Sequence, residues 1–294
     1  MTSGTALTVA PTGAESSKVD VPDLPVTLDE LVATAQACEA AGAAVIHVHV
    51  RDHEARPTLD PAVLRASVEA LRAQTGLVVQ LSTGGAVTDP EEQRLAVLDA
   101  GPDMASCTMG TVNFGDDVFL NRWPFVVELH RRMQERGIVP EYELFDLGQV
   151  ASLHRLLDRH GPPAGGHVHC DVVLGVPGGL PGTPAALLAV VAQLPAGATW
   201  SATGVGRATL PVALSALAAG GHLRVGMEDT LTLAPGQPVA DNAQLVARAA
   251  DLARLAQRPP LTPAAVRGML GVGTAVVPAS SSPSHLTEPP DRAT

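Results

Sequence analysis

Two histidines two positions apart, His47 and His49, stand in the stretch Val45-Ile46-His47-Val48-His49-Val50-Arg51-Asp52. In an extended strand, residues two apart share a face and lie roughly 6.5–7 Å from each other. Two neutral imidazoles on one face suit a divalent cation, because imidazole is a common metal ligand. A hydrogen-bonded pair of core histidines is the plainer alternative. A catalytic zinc takes three protein ligands and leaves one position open. Glu228, in Arg224-Val225-Gly226-Met227-Glu228-Asp229, is the best third donor. An i,i+4 surface ion pair with Arg224 is its plainer reading. Asp229 is a candidate general base, with Arg224 positioning it and holding its charge. Its alternative is a loop-stabilising ion pair.

Such residues need a scaffold that brings strand two and the last strand to one place. Short apolar runs alternate with Ala/Leu-rich amphipathic runs along the chain, the signature of βα units and a parallel sheet. Eight units are expected, with strands at about 5–10, 45–50, 78–81, 104–108, 141–145, 168–174, 199–202 and 223–225. Thr27 with Glu30 forms a capping box for a helix over 28–41, and Asp60-Pro61 opens another. Eight units in a chain of this length predict an α/β fold, a (β/α)₈ TIM barrel. A doubly wound sheet is the runner-up, but no Gly-x-Gly-x-x-Gly follows strand one. The barrel, with a C-terminal helical extension, is expected over 1–276. Residues 277–294, rich in Pro and Ser, are expected to be a loose tail.

Active sites of this fold sit at the C-terminal ends of the strands. Those ends carry Pro11-Thr12-Gly13-Ala14-Glu15, His47 and His49, Ser82-Thr83-Gly84-Gly85, Ser106-Cys107-Thr108, Glu143, Gly175 to Gly179, Gly204 to Arg207, and Arg224 to Asp229. Polar loops explain the serines and glycines. They explain Glu143, Arg224, Glu228 and Asp229 beside buried strands less well. His167 and His169 form a second two-apart pair, but at the start of a strand, where residues serve stability. Cys107, with apolar neighbours, reads as a buried small residue.

Composition bounds the function. The 294 residues are 46% hydrophobic but only 2% aromatic, so the core must be aliphatic. The net charge of −11 and the lack of a basic run argue against a nucleic-acid partner. Three scattered cysteines fit a reducing cytoplasm better than a disulfide framework. No signal peptide is expected, and no 18-residue apolar run predicts a membrane span.

Taken together, the stretches Pro11–Glu15, His47–Asp52, Leu81–Gly85, Met104–Ser106 with Val112–Phe114, Glu141–Asp146, Val173–Gly179 and Arg224–Asp229 resemble the β-keto acid cleavage enzyme family, over about 6–272. The resemblance implies a (β/α)₈ barrel, a homotetramer and a divalent metal, Zn2+ in the first place. It implies that His47, His49 and Glu228 hold the metal and that Asp229 is the base, with Arg224 as its partner. Ser82, Gly85 and Thr108 would lie around the substrate carboxylate and carbonyl. The implied reaction is an acyl exchange in which a β-keto acid and acetyl-CoA give acetoacetate and a new acyl-CoA. Glu15 and Glu143 would stand at the far end of the pocket and pair with a substrate cation. That favours an amino or trimethylammonium substrate such as 3-keto-5-aminohexanoate or dehydrocarnitine. A metal-dependent amidohydrolase also carries His-x-His in a barrel, but on strand one with further histidines on strands five and six. A catalytically silent metal-binding barrel is the non-enzyme alternative.

Overall fold

The computed structural model describes residues 4–273. The expected tail, 277–294, lies outside the described residues. Eight parallel strands close a barrel: β1 (Leu7–Val9), β2 (Val45–Val48), β3 (Val78–Leu81), β4 (Met104–Thr108), β5 (Val139–Leu144), β6 (His169–Leu174), β7 (Thr199–Gly204) and β8 (His222–Val225). Each strand pairs with its neighbours in sequence, and β8 returns to pair with β1, Arg224 opposite Thr8. That closure brings the β8 end beside the loops after β1 and β2. The predicted fold is the observed one.

Five of the crossover helices start where a side chain offers an acceptor for their free N–H groups. Thr27 and Glu30 cap α1 (Leu28–Ala41) reciprocally. Asp60 caps α2 (Pro61–Gln74), with proline at the first position. A short α3 (Glu91–Ala96) follows β3, and α4 (Trp123–Arg136) follows β4. Asp146 caps α5 (Leu147–His160) and Thr183 caps α6 (Pro184–Val191). After β7 comes α7 (Thr209–Ala219), and Asp241 caps α8 (Asn242–Leu255) after β8. The long connection after β4 is an antiparallel hairpin, Val112–Phe114 with Asp117–Phe119.

Strand alternation divides the side chains. Outward ones such as Ile46, Val48, Leu81, Tyr142, Val172 and Leu223 join the aliphatic core under the helices. The alternate set is polar: Thr8, His47, Gln80, Ser106, Glu141, His169, Asp171, Ser201 and Arg224 are all buried. The aliphatic core expected from composition therefore lies on one face of the strands only. Below this polar column, Ala6, Val45, Val78, Met104 and Val139 pack on Val266 and Leu270 of α9 (Pro263–Leu270). The helical extension thus plugs the N-terminal end of the barrel, and chemistry is confined to the other end.

Candidate active site

His47 is fixed before any ligand arrives. Its partner across the β2–β3 register is Gln80, whose Oε1 accepts from His47 Nδ1–H at 2.6 Å. A carbonyl oxygen can only accept, so the bond leaves Nε2 with its lone pair free. That atom lies 3.8 Å from Glu228 Oε1, and His49 Nε2 lies 3.6 Å from it. The donor atoms of the three residues all lie within 4.8 Å of one another. The two rings are 5.3 Å apart. Burial pushes both imidazoles down, His49 to about 4, which keeps them neutral and able to coordinate.

Arg224 organises the carboxylates. It is buried, and it donates through Nη2 to Glu228 Oε1 at 2.5 Å and to Asp229 Oδ1 at 3.0 Å, and through Nε to Asp229 Oδ2 at 3.3 Å. Its Nη1 lies 3.7 Å from Glu143 Oε1. Burial opposes the ionisation of Glu228, but Arg224 and the two imidazoles outweigh it and bring Glu228 down to about 2. For Asp229 burial prevails over Arg224, and its carboxyl rises to about 7. Two adjacent carboxyls thus differ: one is held as an anion, the other is poised to exchange a proton near neutral pH.

A cavity of about 450 Å³ opens over this cluster, with Glu15, His47, His49, Ser82, Gly85, Glu143, Arg224, Glu228 and Asp229 in its wall. Of the ten residues singled out in the sequence, Thr108 alone is absent from that wall. It is buried behind Glu143 and donates to Glu143 Oε2 at 2.6 Å. Glu143 is not at a far end beside Glu15. It is buried against Arg224 and Thr108 and pushed up to about 7 by burial, while Glu15 is exposed at the mouth. The hairpin after β4 adds Phe114, Asp116, Asp117 and Phe119 to the rim. The His167 and His169 pair lies below: His169 Nε2 is 3.2 Å from Glu141 Oε2, and both rings meet Thr199 Oγ1.

Three parts of the site were not foreseen. Gln80 orients His47. Glu141 and Glu143 form, with His47, a second donor set within 4.8 Å. Arg94 is buried and donates to Thr83 O, Leu120 O and Asn121 Oδ1, tying the 82–85 loop to the base of the hairpin. The i,i+2 and i,i+3 habits of one strand or helix carry no trace of such long-range bonds. A buried-looking Gln80 inside an apolar strand was the one available signal.

The residues fit a divalent cation. Glu228 Oε2 is buried with no hydrogen-bond partner among the described residues, as an oxygen reserved for a cation would be. Two neutral imidazoles with one carboxylate are a donor set suited to zinc, with open positions for substrate.

A family model described as beta-keto acid cleavage enzyme matches residues 5–272. The chain belongs to that family. It is 35% identical over 272 residues to the 3-keto-5-aminohexanoate cleavage enzyme of Acetoanaerobium sticklandii, covering 90% of this chain and 97% of that one. It is 34% identical over 276 residues to the 3-oxoadipate:acetyl-CoA acetyltransferase of Cupriavidus necator, covering 92% and 96%. Among solved structures, apo ObcA superposes with a TM-score of 0.72 at 24% identity. That match covers 86% of this chain and 66% of ObcA, and speaks to the fold alone. Membership of this family removes the amidohydrolase and silent-barrel readings.

Proposed function

We propose that this chain is a divalent-metal-dependent acyltransferase that exchanges acyl groups between a β-keto acid and acetyl-CoA. The observation that carries the reading is the convergence of His47, His49 and Glu228, with a spare carboxylate oxygen, beside the Arg224–Asp229 pair. His47, His49 and Glu228 would hold the cation, Zn2+ by donor chemistry, which when bound supplies Lewis-acid polarisation of the keto oxygen. Asp229 takes a proton from the carbon between carboxylate and ketone. The resulting carbon nucleophile attacks the acetyl thioester, and CoA leaves as the thiolate. The thiolate adds to the former keto carbon, and the bond between that carbon and the original C2 breaks. Asp229 returns its proton to the departing carbon, so acetoacetate and the new acyl-CoA leave with the proton count unchanged. Arg224 holds Asp229 in line and steadies its charge through both transfers. Ser82 and the glycines at 84 and 85 line the cavity where the substrate carboxylate would rest, and Thr108 acts through Glu143.

The two relatives named above act, by their names, on an amine-bearing and a dicarboxylic keto acid at nearly equal identity. The pocket supports a preference for a cation through its acidic wall. Its outer wall carries Glu15, Asp116 and Asp117, while its arginine, Arg224, is engaged by three carboxylates. We therefore assign a β-keto acid with a distal cation, an amine or trimethylammonium group. The reading includes a homotetramer in the cytoplasm. Exposed leucines on α6 and α7 (Leu188, Leu210 and Leu214) support burial between subunits, and no helix of the described residues is long and apolar enough to cross a membrane. Elemental analysis with a panel of β-keto acids assayed against acetyl-CoA tests the reading. Metal-dependent acetoacetate formation with a cationic substrate is expected; equal rates on β-ketoglutarate would overturn the substrate assignment.

A further inference from the structure

The Arg51 side chain belongs to the motif that carries the two histidines, yet a guanidinium has only donors and cannot itself hold a cation. It is buried, 7% exposed, two residues beyond His49. Its Nη2 donates to Gly13 O at 2.7 Å and to Ser16 O at 2.8 Å, and its Nη1 to Ala55 O at 3.1 Å. One guanidinium therefore grips both ends of the strap 13–16 that follows β1. Gly13 is where that strap meets the site. It has φ +65°, and a Cβ there would stand 2.7 Å from Glu228 Cγ and 3.2 Å from Glu228 Cβ. Backbone at position 13 thus walls the Glu228 side chain from one side, while Arg224 pulls on its carboxylate from another. The loop bearing Glu228 is held to β1 by Glu228 N donating to Ala10 O at 3.2 Å. Asn242 adds a second tie, donating to Pro11 O at 3.1 Å and accepting from Met227 N at 2.9 Å.

We propose that Arg51 is a positioning residue for the metal carboxylate: it clamps the strap 13–16 so that Gly13 confines Glu228 to the rotamer facing His47 and His49. The proposal rests on the assignment of Glu228 as a metal ligand. Arginine suits the task, since its planar fork reaches several carbonyls from one rigid group, and the three carbonyl bonds keep it from swinging away. The same strap carries Glu15, so the metal ligand and the glutamate that faces the substrate cation share one anchor. A bystander that merely stabilised the strap would affect folding and leave the relation between Arg51 and Glu228 untouched.

The test is metal affinity measured by chelator competition on full-length protein. It compares wild type with Arg51→Ala, Glu228→Ala and the double variant, alongside the visible spectrum of each cobalt(II)-loaded protein. Arg51→Ala is expected to weaken binding about 10–100-fold, the range for groups that orient ligands, and to change the cobalt spectrum. In the Glu228→Ala background the same change is expected to weaken binding less than about twofold, because the carboxylate it positions is gone. Gly13→Ala, which drives a methyl into Glu228, is expected to reproduce the affinity loss and serves if Arg51→Ala does not fold. Unchanged affinity in Arg51→Ala, or in Gly13→Ala where that stands in, overturns the proposal, as does an equal loss with and without Glu228. A wild type that takes up no metal overturns the metal assignment itself, and a wild type that loses metal on Glu228→Ala but not on Arg51→Ala overturns the positioning role alone.

Discussion

His47 Nδ1 and Gln80 Oε1 lie 2.6 Å apart inside the barrel, on residues paired in register between β2 and β3. The contact decides which imidazole nitrogen can face a cation. Gln80→Leu is expected to free the ring, bury Nδ1 without a partner and weaken metal binding about 10–100-fold. Chelator competition measures it, and an affinity within twofold of wild type would remove Gln80 from the account.

Asp229 is the proposed base, adjacent to a ligand but outside the donor set. Asp229→Asn is expected to lower kcat about 10²–10⁴-fold while metal content stays at the wild-type level. Loss of metal in this variant would show that the two neighbours do not have separate roles.

Glu15 faces the cavity from its exposed rim, whereas Glu143 is tied to Thr108 and Arg224. Glu15→Gln is expected to cut the ratio of kcat/KM for an amine-bearing over a dicarboxylic β-keto acid about tenfold, the effect of one weakened ion pair of about 1.4 kcal/mol. A ratio that survives the change would assign the cation to another group.

The eight-unit barrel was legible because each strand and helix announces itself locally, through aliphatic runs and capping pairs such as Thr27 with Glu30. His47, His49 and Glu228 were legible because the fold dictates that strand ends converge. What was not legible depends on long-range register. Gln80 reaches His47 across 33 residues, and Arg94 reaches Asn121 across 27. The family resemblance implies a substrate contact for Thr108, but the β4–β5 register sets it opposite Glu143, to which it donates. Glu143 was read as a free carboxylate because nothing local reveals that Arg224, eighty-odd positions later, closes on it.

Arg94 shows what such unseen contacts stabilise. Its guanidinium serves Thr83 O, Leu120 O and Asn121 Oδ1 and stacks on Phe119 and Phe125. Arg94→Leu is expected to lower stability by about 2–4 kcal/mol through acceptors left buried without donors. It should also raise KM for the keto acid, since the 82–85 loop and the hairpin both line the cavity. Urea unfolding and steady-state kinetics check the two halves.

Acid sensitivity has a source away from the site. His130 is buried on α4, with Nε2 donating to Gly161 O at 3.2 Å and Nδ1 accepting from Tyr142 Oη at 2.9 Å. Burial lowers it from 6.5 to about 4. Between those values the unfolded chain binds a proton that the folded chain refuses. Stability from this residue is therefore complete above pH 6.5 and is lost as pH falls towards 4. By pH 5 the loss is about 2 kcal/mol. Unfolding free energies from urea titrations at pH 7 and pH 5 should differ by that much less in His130→Gln; an unchanged pH dependence would show that His130 is not the source.

The most direct measurement is zinc titration of metal-stripped protein while acetoacetate formation from a cationic β-keto acid and acetyl-CoA is followed. The account predicts no turnover in the stripped protein, a linear rise with added zinc and saturation at one ion per chain, with the response abolished in His49→Ala. Full turnover before any metal is added would contradict it.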